Sequence, residues 1–162
     1  MASKHKEALF ASLATRASLN ELNNNIAERC KFNFSYFVNN DEAGQDFKDW
    51  NQEELSKLLN KIKDYTKSSL NYWKTQNVGK YKVFVNYGAF PTKNTDFTEP
   101  KHIPIEVEWC RFHLENKPRL IGFKVPDNYH GELQENSSFR FDKNTFYVVF
   151  LDREHLFYKT KN

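Results

Sequence analysis

Long hydrophobic runs are missing from this chain. No stretch approaches the roughly 20 apolar residues a bilayer-crossing helix needs, so no membrane partner is expected. Glycine and proline are scarce, five of each in 162 residues, which excludes collagen-like and low-complexity architectures and leaves little room for disorder. The only cysteines, Cys30 and Cys110, lie far apart and form no disulfide framework. Buried free thiols in a reducing compartment are the simplest account of them. Met1 to Leu9 carries Lys4, His5, Lys6 and Glu7 but no apolar h-region, so no secretory signal is expected and a cytoplasmic location is. An excess of one charge is lacking too: 24 Lys and Arg against 21 Asp and Glu give a formal charge of +3. That is thin for a duplex-DNA binder; it permits a nucleic-acid partner without requiring one. No P-loop, GxGxxG or GxSxG occurs.

Aromatic residues are what the chain has in abundance: 16% of it, with 15 Phe, enough to fill a core. With no internal repeat and no Gly/Ser-rich or Pro-rich linker, residues 1–162 are expected to form a single domain. Leu9, Leu13, Leu19, Leu22 and Ile26 suggest an N-terminal helical segment over 3–28, weakened in its middle by Asn23-Asn24-Asn25. From Cys30 to Val38 the period changes, and Phe32, Phe34 and Tyr36 alternate with polar residues as in a half-buried strand. Asn51 followed by Glu54 reads as a capping box. It opens a long helix, to about Gln76, with Leu55, Leu58, Leu59, Ile62, Tyr65, Leu70 and Trp73 on one stripe.

Tyr81–Tyr87 reads as a strand. The irregular 88–104 segment that follows holds Phe90, Phe97 and Ile103, anchors that would lock it onto the core or dock a protein partner. Strands over 105–115 and 119–125 are joined by a turn at Asn116-Lys117. A polar excursion, 126–144, leads to a continuously apolar strand, Thr145–Asp152, expected to be central. The fold class expected is α+β: an antiparallel β-sheet packed on one long helix, with an additional N-terminal helix.

The hairpin carries most of the chemistry. A two-residue turn sets Glu115 opposite Pro118, Phe112 opposite Ile121 and Cys110 opposite Phe123. One face is then almost wholly apolar. The other carries Trp109, Arg111, His113, Leu120, Gly122 and Lys124, with the mid-strand glycine allowing close approach. Such a face is either a solvated sheet surface or a platform for single-stranded nucleic acid, on which Trp109 stacks and Arg111 and Lys124 neutralise phosphates. Metal-free RNA cleavage needs a base for the 2′-OH, charge stabilisation at phosphorus and an acid for the 5′-oxygen. His113 and His155, with Arg111 and Arg153, are the right residue types.

No metal or cofactor is expected. Cys110 and His113, three apart on a strand, point to opposite faces. Glu106 and Glu108 share a face at a strand's start, where carboxylates are usually solvated. The acidic loop of Asp41, Glu42, Asp46 and Asp49 lacks EF-hand spacing.

The element order, with helices, a three-stranded meander and a tail bearing Arg153, His155 and Tyr158, resembles the RelE/ParE-like toxins over roughly the last third of the chain. In the RNA-cleaving members, Arg, Lys, His and Tyr near these strands position a phosphate and act as acid and base. The resemblance implies those roles for Arg111 or Arg119 on the middle strands and for Arg153, His155 and Tyr158, in a prokaryotic or phage-like setting. The chain is longer than those toxins, carries an extra N-terminal helix and the 88–104 loop, and is only slightly basic. The function expected is thus RNA or single-stranded nucleic-acid binding, with metal-independent endoribonuclease chemistry at His113, His155, Arg153 and Tyr158. Trp109, Arg111, Lys124 and Arg119 would bind the strand. The alternative is a non-catalytic protein-binding module or inhibitor, such as a mobile-element or defence-related accessory protein.

Overall fold

The Asn51 side chain accepts the Glu54 amide at 2.8 Å, while the Glu54 carboxylate accepts the Asn51 amide at 3.1 Å. This is the reciprocal capping box the sequence announces. The computed structural model describes residues 2–14 and 16–160. It contains helix α1 (Ala2–Ala14), strand β1 (Lys31–Asn33), helices α2 (Gln52–Tyr65) and α3 (Leu70–Lys74), and a small hairpin of β2 (Asn77–Val78) with β3 (Tyr81–Lys82). Strands β4 (Phe84–Gly88), β5 (Glu108–His113), β6 (Arg119–Lys124) and β7 (Thr145–Asp152) complete the chain. The architecture is α+β. Among the described residues, no helix is long and apolar enough to cross a membrane.

The five-stranded sheet has the order β1-β7-β6-β5-β4. From β4 to β7 it is an antiparallel meander, and β1 joins the β7 edge in parallel. That parallel edge is one departure from expectation. The strand expected over Cys30–Val38 is also cut to three residues, because Asn33 Oδ1 accepts the Ser35 amide at 2.8 Å and turns the chain. The long helix is two helices. Thr66 Oγ1 bonds the Lys63 carbonyl at 2.7 Å, and Ser69 Oγ caps the Tyr72 amide at 3.0 Å to start α3 afresh. The N-terminal helix stops at Ala14, well short of residue 28, and Leu19, Leu22 and Ile26 are exposed. Asn24 draws the chain into turns instead, donating to Ser18 O at 2.7 Å and accepting from the Ile26 amide at 3.1 Å. Leu13's side chain lies outside the described residues.

The sheet is covered on both sides. On one lie α2 and α3, whose Leu58, Tyr65 and Leu70 pack with Cys110, Phe112, Leu120, Phe146, Val148 and Leu151. On the other, no α-helix packs among the described residues: irregular chain and the C-terminal turn bring Phe97, Ile103 and Phe157 onto Trp109, Ile121, Phe123, Val149 and Phe150. A bulge at Val149, where Ile121 faces Phe150 but Gly122 faces Val148, turns Val149 and Phe150 to the same side. A strand covered on both faces in this way reads as an unbroken apolar run.

Candidate anion-binding cluster at the end of the sheet

The β5–β6 pairing is one residue away from the expected register: His113 faces Arg119, Phe112 faces Leu120 and Cys110 faces Gly122. Five residues, 114–118, separate the strands rather than two. Because the side-chain period is 2, the slip moves every β6 residue to the opposite face. Leu120, Gly122 and Lys124 go to the helix side, and Arg119, Ile121 and Phe123 join Trp109, Arg111 and His113. Gly122 then serves a neighbour in the same chain: a Cβ there would stand 2.7 Å from the Phe146 ring and 2.1 Å from Tyr147 O. The expected cationic, aromatic platform is therefore not assembled. Trp109 is 2% exposed, packed edge-on to Phe90 and flanked by Phe150 and Phe157. Lys124 is buried, with Nζ on Asp127 and Val125 O.

What the slip does assemble is a row across the three central strands. His113 on β5 faces Arg119 on β6, which faces Asp152 on β7, so all three project from the helix-free face. Arg111 stands two residues back on the same side of β5. His155 arrives from the turn after β7, with a left-handed backbone, φ 58°. For a non-glycine residue that conformation is strained. Asp152 holds the turn in place by accepting the Leu156 and Phe157 amides at 2.9 and 3.0 Å.

His113 is 3% exposed, its ring stacked on Tyr81 at 5.3 Å, its amide bonded to Val83 O and its carbonyl accepting the Tyr65 hydroxyl. Its Nδ1 is buried and has no partner. Burial pushes its pKa down to about 4, with the charges of Arg119, Arg111 and Lys61 and the neighbouring His155 adding to the effect. His155 is depressed by burial and by Arg119 and Arg111. Arg119, also 3% exposed, spends one Nη on the hairpin loop, donating to Glu115 O at 2.8 Å and Pro118 O at 2.9 Å. Its Nε is buried without a partner. Burial and the neighbouring Arg111 pull its pKa down. Arg111 donates to Lys82 O at 2.8 Å and also stands within hydrogen-bonding reach of the Tyr87 hydroxyl. Asp152 is fully buried, and burial raises its pKa against the pull of the Leu156, Phe157 and His155 amides and of Arg119. It is the carboxylate facing this cluster from below.

Four candidates thus converge: Arg111, His113, Arg119 and His155. Tyr158 reaches them only through Tyr87, the neighbour of Arg111, on which it stacks at 5.1 Å while 46% exposed. Arg153 does not join them. Its Nε bonds Glu54 at 2.9 Å, one Nη bonds Asp49 O at 2.6 Å, and its guanidinium lies 5.8 Å from the Trp50 ring centroid. It ties the C-terminal turn to the α2 cap, and its hydrogen bond holds the Glu54 carboxyl below the usual range.

Sequence reasoning missed Tyr81, Tyr87 and Asp152. An aspartate closing an apolar strand was a usable signal for the last. Tyr87 is the extra residue of a β4 bulge, between the pairs Asn86–Cys110 and Gly88–Trp109, and no local pattern announces it.

The 88–104 loop turns Phe97 and Ile103 into the core and is clamped to the tail by Lys159–Asp96 at 2.6 Å. Cys110 is fully buried and its thiol is pushed up by burial, away from reactivity. Among the described residues, no three of His, Cys, Asp and Glu stand together as a metal-ligand group. No protein-family model matches the chain, nor does any curated protein or solved structure.

Proposed function

We propose that the Arg111/His113/Arg119/His155 cluster binds a phosphate of single-stranded RNA and that its two imidazoles cleave the strand without a metal ion. One observation carries this reading: two buried nitrogens, His113 Nδ1 and Arg119 Nε, lack partners within a cluster holding two guanidiniums. An unsatisfied buried polar group costs about 1–3 kcal/mol, and a phosphate oxygen beside Arg119 Nε–H offsets part of that cost. With both pKa values depressed, the histidines are neutral at neutral pH in the free protein. One is then able to take the 2′-OH proton. An arriving phosphate stabilises the protonated form of the other, which returns a proton to the leaving 5′-oxygen. The 2′-oxygen bonds to phosphorus as the P–O5′ bond breaks, leaving a 2′,3′-cyclic phosphate and a 5′-hydroxyl. Arg111 and Arg119 stabilise the phosphorane charge. Under the RelE/ParE-like resemblance, Tyr158 would lie alongside, while Arg153 is a structural tie.

The rival, a protein-binding module acting through the 88–104 loop, would have to use the loop's polar residues, since Phe97 and Ile103 face inward. Anisotropy titration of a labelled single-stranded RNA at two salt concentrations separates the readings. Phosphate binding weakens steeply with salt, and Arg111→Ala should lower affinity tenfold or more. His155→Ala should abolish cleavage and leave binding nearly intact. A flat titration at low salt would sink the proposal.

A further inference from the structure

The sheet face bearing the cationic cluster has a second opening at its other end. There β6 runs out after Phe123 and Lys124 and the 126–144 excursion folds back, leaving a cleft of about 590 Å³. Its volume is in the range of small-molecule sites, roughly 300–1,000 Å³. Tyr147 stacks on Phe123 at 4.9 Å and 11°, and Tyr36 stands edge-on to both at 75° and 86°. A flat surface and a perpendicular one therefore meet in the lining. From the excursion, Phe139 lines the cleft while 78% exposed. Burying that phenyl ring against a ligand would contribute up to about 1.5–3 kcal/mol.

The charges in the lining narrow the occupant. Asp142 is already paired with Lys31 at 2.9 Å, which leaves Glu106 to oppose a phosphate and Arg140 to oppose an ammonium cation. A phenyl side chain offers nothing to the exposed Gln134 amide or the half-buried tyrosines that line the cleft, whereas a base edge can bond them. A neutral, flat ring with hydrogen-bonding edges meets all of these conditions. We propose that this cleft binds a nucleobase by stacking, with Phe139, Tyr147 and Tyr36 as its aromatic walls and Gln134 and Glu106 reading the ring edge. That the base belongs to an RNA strand rests on the function proposed above; that the cleft takes a base does not. Arg119 and Phe123 are four residues apart on β6, roughly 13 Å of strand, so phosphate and base are recognised at separate places.

The separation makes the test clean. NMR titration of the full chain with adenosine, which has no phosphate, should shift aromatic resonances of Tyr147 and Phe139 saturably and leave those of His155 unmoved. Phe139→Ala changes an exposed residue and should keep the fold. It should weaken adenosine binding roughly tenfold, the loss expected for one stacking partner, while Arg111→Ala leaves it unchanged. In parallel, an RNA trimer is compared with a base-free ribose-phosphate trimer carrying the same phosphates. The RNA should bind at least tenfold tighter, and Phe139→Ala should erase that margin. Absence of saturable shifts with adenosine overturns the proposal, as does N-acetyl-phenylalanine amide binding equally well, which would mark the cleft as a pocket for peptide side chains. If adenosine binds while neither trimer does, the cleft assignment stands and the RNA reading falls.

Discussion

The two faces of the sheet are built from equally aromatic residues, yet they end differently. On the helix side, α2 and α3 run across the strands, and the Phe146 ring fills the space above Gly122. Among the described residues, the loop side has no α-helix to span it. Trp109, Phe150 and Phe157 fill its middle, His113, Arg119 and Asp152 occupy one end, and an open aromatic cleft occupies the other. A helix covers a sheet with a continuous stripe, whereas separate loop anchors cover it point by point. Both candidate sites lie where that coverage gives out, in keeping with the tendency of function to gather on loops held by a rigid scaffold.

The largest loss of stability is expected on the helix side. Gly122→Ala would place a Cβ 2.7 Å from the Phe146 ring and 2.1 Å from Tyr147 O, and backbone cannot yield as a flexible side chain does. A loss of about 3 kcal/mol is expected, read as a lower urea midpoint at unchanged slope. A loss under about 1 kcal/mol would show that this face is looser than its packing implies.

Acid acts next, and on the loop side. The folded pKa of His113 is about 4 against a usual 6.5, so the unfolded chain takes up this proton first as pH falls. The neutral imidazole's contribution is fully present above pH 6.5 and drains away towards pH 4. On the order of 2–3 kcal/mol is at stake, and His113→Asn should flatten the fall in urea midpoint between pH 7 and 4.5 relative to the parent. Inorganic phosphate bound at the cluster should raise the pKa of His155 measured by NMR.

The helix side was legible in the sequence because its signals are local. Asn51 and Glu54 announce a cap by spacing alone, and β5 announces its faces by alternation. Ser69 offered a second cap within the expected long helix, but the stripe from Tyr65 to Leu70 and Trp73 obscured it. The hairpin register was not legible, because Leu120 and Ile121 are both apolar and each satisfies either face. Hydrophobic pattern cannot choose between two buried faces; the length of the 114–118 loop and the room Phe146 takes above Gly122 decide it. The candidate cluster was readable as residue types, since Arg111, His113, Arg119 and His155 were all singled out. Their grouping depends on the slipped register. Arg153 was misread because its partner, Glu54, lies 99 positions away.

The smallest structural effects separate the two faces best, because two arginines of similar exposure differ in what they hold. Arg153 bonds Glu54 and the Asp49 carbonyl on the helix side. Arg153→Ala should cost about 1–2 kcal/mol and leave RNA affinity unchanged at fixed salt. Arg111 holds the Lys82 carbonyl and stands against the Tyr87 hydroxyl, with no carboxylate partner among the described residues. Arg111→Ala should cost about 0.5 kcal/mol or less, since both bonds are to neutral groups and the removal of a like charge beside Arg119 and His113 offsets the loss. Its pKa consequence is directional: with that charge gone, His113 should titrate at a higher pH. A nearly silent stability change, an upward shift of His113 and a tenfold loss of RNA affinity together would mark a charge kept for a ligand. A stability loss equal to that of Arg153→Ala, with affinity intact, would make Arg111 one more tie between strands.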